Sequence, residues 1–226
     1  MRKRKYGHLD AGTYKSDNLI EDVLSLGEGG PAAGDASDMP QAAVHNLVGT
    51  ARLLSSSMPL DLKQVSRLIP NMQYDRQKFA AITVRLCEPF CTVLLFTSGK
   101  MVLTGCKNFV QCVLAATQIL EMMEMGFGHH KFDMVDVRIQ NIVGNVDVRL
   151  RDGEGVALDL LLEENRVYST YLPNMFPGLI YRPVNSPVVL LLFKSGKIVI
   201  TGGRSCQDIY DGWAQLWPFV KKYIRR

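Results

Sequence analysis

Residues 96–107, Phe-Thr-Ser-Gly-Lys-Met-Val-Leu-Thr-Gly-Cys-Lys, return 97 positions later at 193–204 as Phe-Lys-Ser-Gly-Lys-Ile-Val-Ile-Thr-Gly-Gly-Arg. A chain that spells one supersecondary unit twice is confined to architectures in which two alike copies pack side by side. Each copy reads as two short strands of apolar and β-branched residues joined at Ser-Gly-Lys, where glycine supplies the turn and lysine its tip. Every position of Val93–Phe96 and of Leu190–Phe193 is apolar, although successive side chains on a strand point to opposite sides of the sheet. An antiparallel sheet usually wets one face, so either layers cover both faces or one apolar face awaits a partner.

A chain of 226 residues with 47% hydrophobic content makes one or two domains with a sizeable core. The longest apolar run, Val188 to Phe193, is too short to cross a bilayer, and Met1–Lys5 is not followed by the apolar stretch of an export signal. No membrane or export role is expected. Cys87, Cys91, Cys106, Cys112 and Cys206 lack CxxC spacing and the four histidines do not gather around them. Buried free thiols in a reducing compartment are therefore expected, with no metal centre. Residues 1–40 carry five Lys/Arg against seven Asp/Glu, so the net +4 of the whole chain comes from a body of about +6. That balance suits an anionic partner without demanding one.

The segment 1–40 is rich in Gly, Asp, Ser and Ala and reads as a disordered tail, its basic start Arg2–Lys5 serving as a nuclear-import signal, a phosphate-touching arm or plain solvated charge. The first copy spans 41–132 and the second 133–226. Val44–Val48 reads as a strand, and Pro59–Leu68 as a short amphipathic helix with Pro59 in its first turn. Phe79–Leu86 reads as a strand and Glu88-Pro89-Phe90 as a tight turn ahead of the hairpin. Asn108 caps a helix that Gly126 closes. In the second copy Val137–Val143 answers the first strand, Phe176 answers Phe79, and Ser205 caps a final helix with Ile209, Trp213, Leu216, Val220 and Tyr223 on one stripe and a bend at Pro218. Each half is thus strand, helix, four more strands and a long helix. So few helices cover one face of a joined sheet of about ten strands and leave the other open.

Strand parity sorts the residues of that open face. Asn46 goes with Val48, Leu94 with Phe96 and Val102 with Thr104; Asn141 goes with Val143, Leu191 with Phe193 and Val199 with Thr201. Lys100, Lys107, Lys197 and Arg204 stand at turns and strand ends around them. An apolar centre with amides, hydroxyls and a basic rim fits a polyanion with a shallow, weakly polar groove, as the minor groove of A·T-rich DNA is.

Several further strings stand in order along the chain: Gln140-Asn141-Ile142-Val143-Gly144, Phe79-Ala80-Ala81, Ser98–Val102 with Thr104-Gly105, Phe176-Pro177-Gly178-Leu179-Ile180-Tyr181-Arg182, and Ser195–Val199 with Thr201-Gly202. From Gln41 to its C-terminus the chain resembles the TATA-binding protein family. The resemblance implies an α+β saddle of two pseudo-symmetric repeats, a curved antiparallel sheet with helices on the convex face only, acting as a monomer without cofactor, metal or catalysis. Phe79 with Phe96, and Phe176 with Phe193, would wedge between base steps. A lone Phe is ordinarily core; four at matching repeat positions argue otherwise. Asn46, Asn141, Thr104 and Thr201 would meet base edges over a floor of Val48, Val143, Val102, Val199, Leu94 and Leu191. Lys78, Arg85, Lys100, Lys107, Arg182, Lys197 and Arg204 would meet phosphates. By the same resemblance the chain would be a nuclear general transcription factor, or one at the site of transcription if viral. It would bind and kink TATA-type promoter DNA and nucleate the initiation complex with factors resembling transcription factors IIA and IIB.

The sequence also departs from that family. Leu172-Pro173-Asn174-Met175 stands where the family usually has Glu-Pro-Glu-Leu, a grip for transcription factor IIB. The helix after Asn108 has Glu121 and Glu124 and no Lys or Arg, where the family's is strongly basic. Ser55-Ser56-Ser57 lengthens the first copy. Contacts through Glu88, Leu172, Asn174 and Met175 are therefore expected to be altered. Two other readings stand beside a promoter factor: a saddle-shaped competitor or decoy for transcription partners, and an enzyme such as a DNA glycosylase, for which no catalytic His/Asp/Lys constellation is visible.

Overall fold

The computed structural model describes residues 38–56, 58–128 and 131–225. The expected tail up to residue 37, its basic start and Ser57 lie outside the described residues. Contacts group the described chain into two units, one of residues 46–140 and one of residues 38–45 with 141–225. The sequence repeats and the contact units therefore divide at different places, because strands β1 (Ala43–Leu54) and β5 (Asp133–Asp147) each begin in one unit and end in the other.

The first unit continues from β1 through α1 (Leu62–Leu68), β2 (Ala81–Cys87), β3 (Phe90–Phe96), β4 (Lys100–Cys106) and α2 (Phe109–Phe127). Its strands lie in the order β2-β3-β4-β1, each antiparallel to its neighbour. Burial alternates along the strands: Val93, Leu95, Met101 and Leu103 are fully enclosed on one side, where α2 packs on β3 and β4. Leu94, Phe96, Val102 and Thr104 on the other side remain half-exposed. The apolar runs thus resolve into one face in the core, each side chain contributing about 1.5–3 kcal/mol of burial, and one face over which no helix packs among the described residues.

The second unit follows β5 with β6 (Gly155–Val156), α3 (Leu158–Glu164), β7 (Ser169–Thr170), β8 (Leu179–Tyr181), β9 (Val189–Leu192), β10 (Lys197–Gly203), α4 (Cys206–Lys222) and β11 (Ile224–Arg225). Its strand order is β5-β10-β9-β8-β7, with β11 and β6 forming a separate pair. Leu190, Leu192, Ile198 and Ile200 are enclosed against α4, whose Ile209, Trp213, Leu216 and Val220 form the buried stripe expected from sequence. Tyr223 falls at the C-cap rather than on the stripe. The Trp213 indole N–H donates to the Pro40 carbonyl at 2.7 Å, anchoring the segment before β1.

The caps are as read: Asn108 Oδ1 accepts from the Gln111 N–H at 2.9 Å, and Ser205 forms a capping box with Asp208. Other boundaries moved. Pro59 lies ahead of α1, which Asp61 caps instead by accepting from the N–H groups of Lys63 and Gln64. Helix α2 passes through Gly126 and is capped at Gly128, whose φ of 103° is open to glycine. Among the described residues the first unit's sheet has four strands rather than five, because the fourth strand expected between α1 and α2 is a single bridge between Gln73 and Thr83. Phe79 precedes β2, held in a turn by its N–H to the Asp75 carbonyl. Of the cysteines, Cys91, Cys106 and Cys112 are buried and Cys87 and Cys206 are exposed, all unpaired. Hydrogen bonding to Cys106 together with burial pushes the Cys91 and Cys112 thiols up.

Candidate nucleic-acid interface

On the helix-free face of the first unit, antiparallel pairing sets side chains in rows. One runs Thr83, Leu94, Val102, Thr50, and the next Arg85, Thr92, Thr104, Val48. In the second unit the equivalent rows are Thr170, Ile180, Leu191, Val199, Asn145 and, next to it, Val189 beside Thr201. At the end of each set stands a pair of phenylalanines. Phe79 and Phe96 meet edge to face at 6.3 Å between ring centroids, and Phe176 and Phe193 at 5.8 Å. Phe79 is 47% exposed, far from what a core aromatic of this size shows.

The tighter second pair has a local cause. Gly178 sits below it, and a Cβ there would come within 2.6 Å of the Phe176 ring and 3.1 Å of Phe193. The first unit carries Ala81 at the corresponding place, opposite Phe96.

The asparagines are fixed by an irregularity that recurs in both units. Between Val48–Thr104 and Leu47–Cys106 the pairing of β1 with β4 slips, leaving Gly105 without a ladder partner. Its N–H donates to Asn46 Oδ1 at 2.8 Å. The pairing of β10 with β5 slips in the same way, and the Gly202 N–H donates to Asn141 Oδ1, again at 2.8 Å. With φ of 99° and 95°, both bulge residues adopt a backbone that suits glycine. Because each amide oxygen is committed to the backbone, each NH2 group must be the end that faces outward, and Asn141 Nδ2 lies 3.4 Å from Thr201 Oγ1. The face therefore presents side-chain donors in an apolar field, and a surface of acceptors is what it complements.

Arg85, Lys100, Lys107, Arg182, Lys197 and Arg204 are exposed. Lys78 is exposed as well and pairs with Asp75 at 3.5 Å. The Glu88 carbonyl accepts from Gln118 of α2 at 2.6 Å, joining the β2–β3 turn to that helix. Leu172 and Met175 are 56% and 84% exposed, and Asn174 is exposed beside them, so the segment that departs from the family's acidic pattern is an apolar knob in water.

Sequence reasoning singles out the rings and amides as candidates and misses what holds them. Gly105, Gly202 and Gly178 are glycines whose neighbours leave no room or whose backbone requires them, and Gln140, whose Nε2 donates to Thr50 Oγ1 at 2.8 Å, ties β5 to β1 within the first unit. The recurrence of Thr-Gly at the end of both hairpins was the available signal.

Comparison with known proteins agrees with this geometry. The family model described as transcription factor TFIID, or TATA-binding protein, matches residues 41–125 and 136–223. The TATA-box-binding protein of Caenorhabditis elegans is 40% identical over 82% of this chain and 52% of its own length. That of Acanthamoeba castellanii is 36% identical over 97% of this chain and 78% of its own. The chain therefore spans about half the length of the first of these relatives and more of the second. A solved TBP from Methanococcus jannaschii superposes with a TM-score of 0.65 at 28% identity, covering 81% of this chain and 99% of that one. By fold and by sequence, the chain belongs to the TATA-binding protein family, a family of non-enzymatic transcription factors.

Proposed function

We propose that this protein is a nuclear general transcription factor that binds the minor groove of A·T-rich, TATA-type promoter DNA, kinks it and nucleates an initiation complex, working as a monomer with each unit addressing one half of the site. The observation that carries the reading is the pair of asparagine amides whose oxygens are tied down by the N–H groups of Gly105 and Gly202. Adenine N3 and thymine O2 are acceptors, and the outward NH2 groups meet them with donors; the guanine amino group would crowd the same place. Phe79 with Phe96 and Phe176 with Phe193 would enter base steps at the two ends, replacing with ring contacts part of the stacking they interrupt. The exposed cations would follow the phosphates. A gel-shift comparison of a TATA duplex with its G·C-substituted counterpart at physiological salt tests this; the reading expects strong preference for the first, and equal affinity would defeat it.

The apolar Leu172–Met175 segment favours a second reading for the partner surface: a competitor that holds promoter DNA without recruiting factors of the IIB type. Transcription from a TATA promoter in an extract depleted of its own factor separates the two, since a general factor restores it and a competitor does not.

A further inference from the structure

The two units do not offer the same surface. In the row next to the phenylalanines the residue paired with the leucine is Thr83 in the first unit and Ile180 in the second, with Leu94 and Val102, and Leu191 and Val199, at matching places beyond it and with Gln73 and Thr170 on its outer side. One row further on, the first unit has Thr92 where the second has Val189. Resting on the minor-groove reading above, we propose that Thr83 is a specificity-determining residue: its hydroxyl lets the half-site under the first unit accept a G·C pair that the half-site under the second unit rejects.

The argument begins with the backbone. The Thr83 N–H and C=O both pair with Gln73, at 2.9 and 3.1 Å, and in a strand these two groups point to the same side. None is left for β3, so Thr83 and Leu94 face each other as a non-hydrogen-bonded pair, the closer of the two kinds. The Thr83 side chain then stands half-exposed beside Leu94 on the helix-free face. It also opens onto a hollow of about 180 Å³ lined by Asn71, Gln73, Thr83 and Arg85. Isoleucine at this place, as in the second unit, would add a terminal methyl and present carbon only.

A guanine in the minor groove adds one feature that an A·T pair lacks, the N2 amino donor. Over Ile180, Leu191 and Val199 that donor would lose its water and find no acceptor. A hydroxyl both donates and accepts, so Thr83 can take the guanine amino proton and can equally donate to adenine N3 or thymine O2. Thr83 lies two residues from Ala81, the partner of Phe96. At about 3.4 Å per residue and per base pair, the tolerant position is about two base pairs inside the step that Phe79 and Phe96 enter.

The test uses the full chain and a set of TATA-type duplexes carrying one G·C pair at each of the first three positions from either end, with affinity read by fluorescence anisotropy. The wild type is expected to tolerate G·C about tenfold better near one end than at the mirror position near the other. Thr83→Val keeps the shape and removes the hydroxyl, and should abolish that asymmetry by raising the G·C penalty at the tolerant position. Ile180→Thr should create a second tolerant position at the opposite end. Equal penalties at both ends in the wild type, or an asymmetry unaltered by Thr83→Val, overturn the proposal. Absence of any A·T preference would instead overturn the minor-groove reading beneath it, and this inference with it.

Discussion

Asn141→Asp separates the two jobs of the asparagine. One carboxylate oxygen of the variant still accepts from the Gly202 N–H at the place where Asn141 Oδ1 now does so at 2.8 Å, and the Thr201 hydroxyl, 3.4 Å from Nδ2, can turn to donate to the other. The bulge stays capped, so the melting temperature should stay within a few degrees of the wild type. The outward end changes from a donor to a charged acceptor facing acceptors. Leaving a desolvated acceptor unmatched costs about 1–3 kcal/mol, and more when it is charged, which is about 5- to 150-fold in affinity. Asn141→Ala behaves differently: it leaves the exposed Gly202 N–H to water, so it should lose stability by about 0.5–1.5 kcal/mol as well as affinity. Thermal unfolding followed by circular dichroism and anisotropy on a TATA duplex give the two readings. An Asp variant that binds within twofold of the wild type would refute the claim that the amide is held donor-outward for a purpose.

Three further expectations follow from named contacts. Gly202→Ala would press its Cβ to 2.7 Å from the Pro187 carbonyl oxygen at a φ of 95°, so it should destabilise by about 1–3 kcal/mol in chemical denaturation; a neutral effect would contradict the bulge assignment. The exposed set Lys78, Arg85, Lys100, Lys107, Arg182, Lys197 and Arg204 should give a log-log salt slope of about −6 if every cation meets a phosphate, and a slope near zero would remove the phosphate role. Glu164 accepts from Lys222 Nζ at 2.7 Å and from the Tyr223 hydroxyl at 2.6 Å, and these bonds hold its carboxyl below the ordinary glutamate value. Its contribution is therefore full above that ordinary value and is lost as pH falls through the lower folded one. The melting-temperature gap between wild type and Glu164→Gln should shrink on acidification, and a widening gap would be the wrong sign.

Much of this arrangement could be read from the chain because it is written twice. The hairpin at Phe96–Lys107 and its copy gave register and parity, and parity alone assigned Leu94, Val102 and Thr104 to one face, with the enclosed neighbours Val93, Leu95 and Leu103 on the other. Asn108 and Ser205 were legible as caps because a cap is local chemistry, settled within three residues. The bulges were not legible, since a slipped ladder depends on a partner strand about 60 residues away, as the Gly105–Asn46 bond shows. Pro59 was misplaced for a related reason: two residues beyond it Asp61 competes as the start signal, and its carboxylate takes the first free N–H groups. The role of Gly178 was hidden too, because only the packed rings of Phe176 and Phe193 reveal that no Cβ fits there.

The central claim is that four phenylalanines on the helix-free faces open base steps at the two ends of one site. Energy transfer between dyes on the ends of an A·T-rich duplex tests it most directly. Binding of the wild type should bring the ends markedly closer, and Phe176→Ala combined with Phe193→Ala should leave them near their unbound separation at concentrations that still saturate the duplex. An equal approach of the ends with the double variant would contradict it.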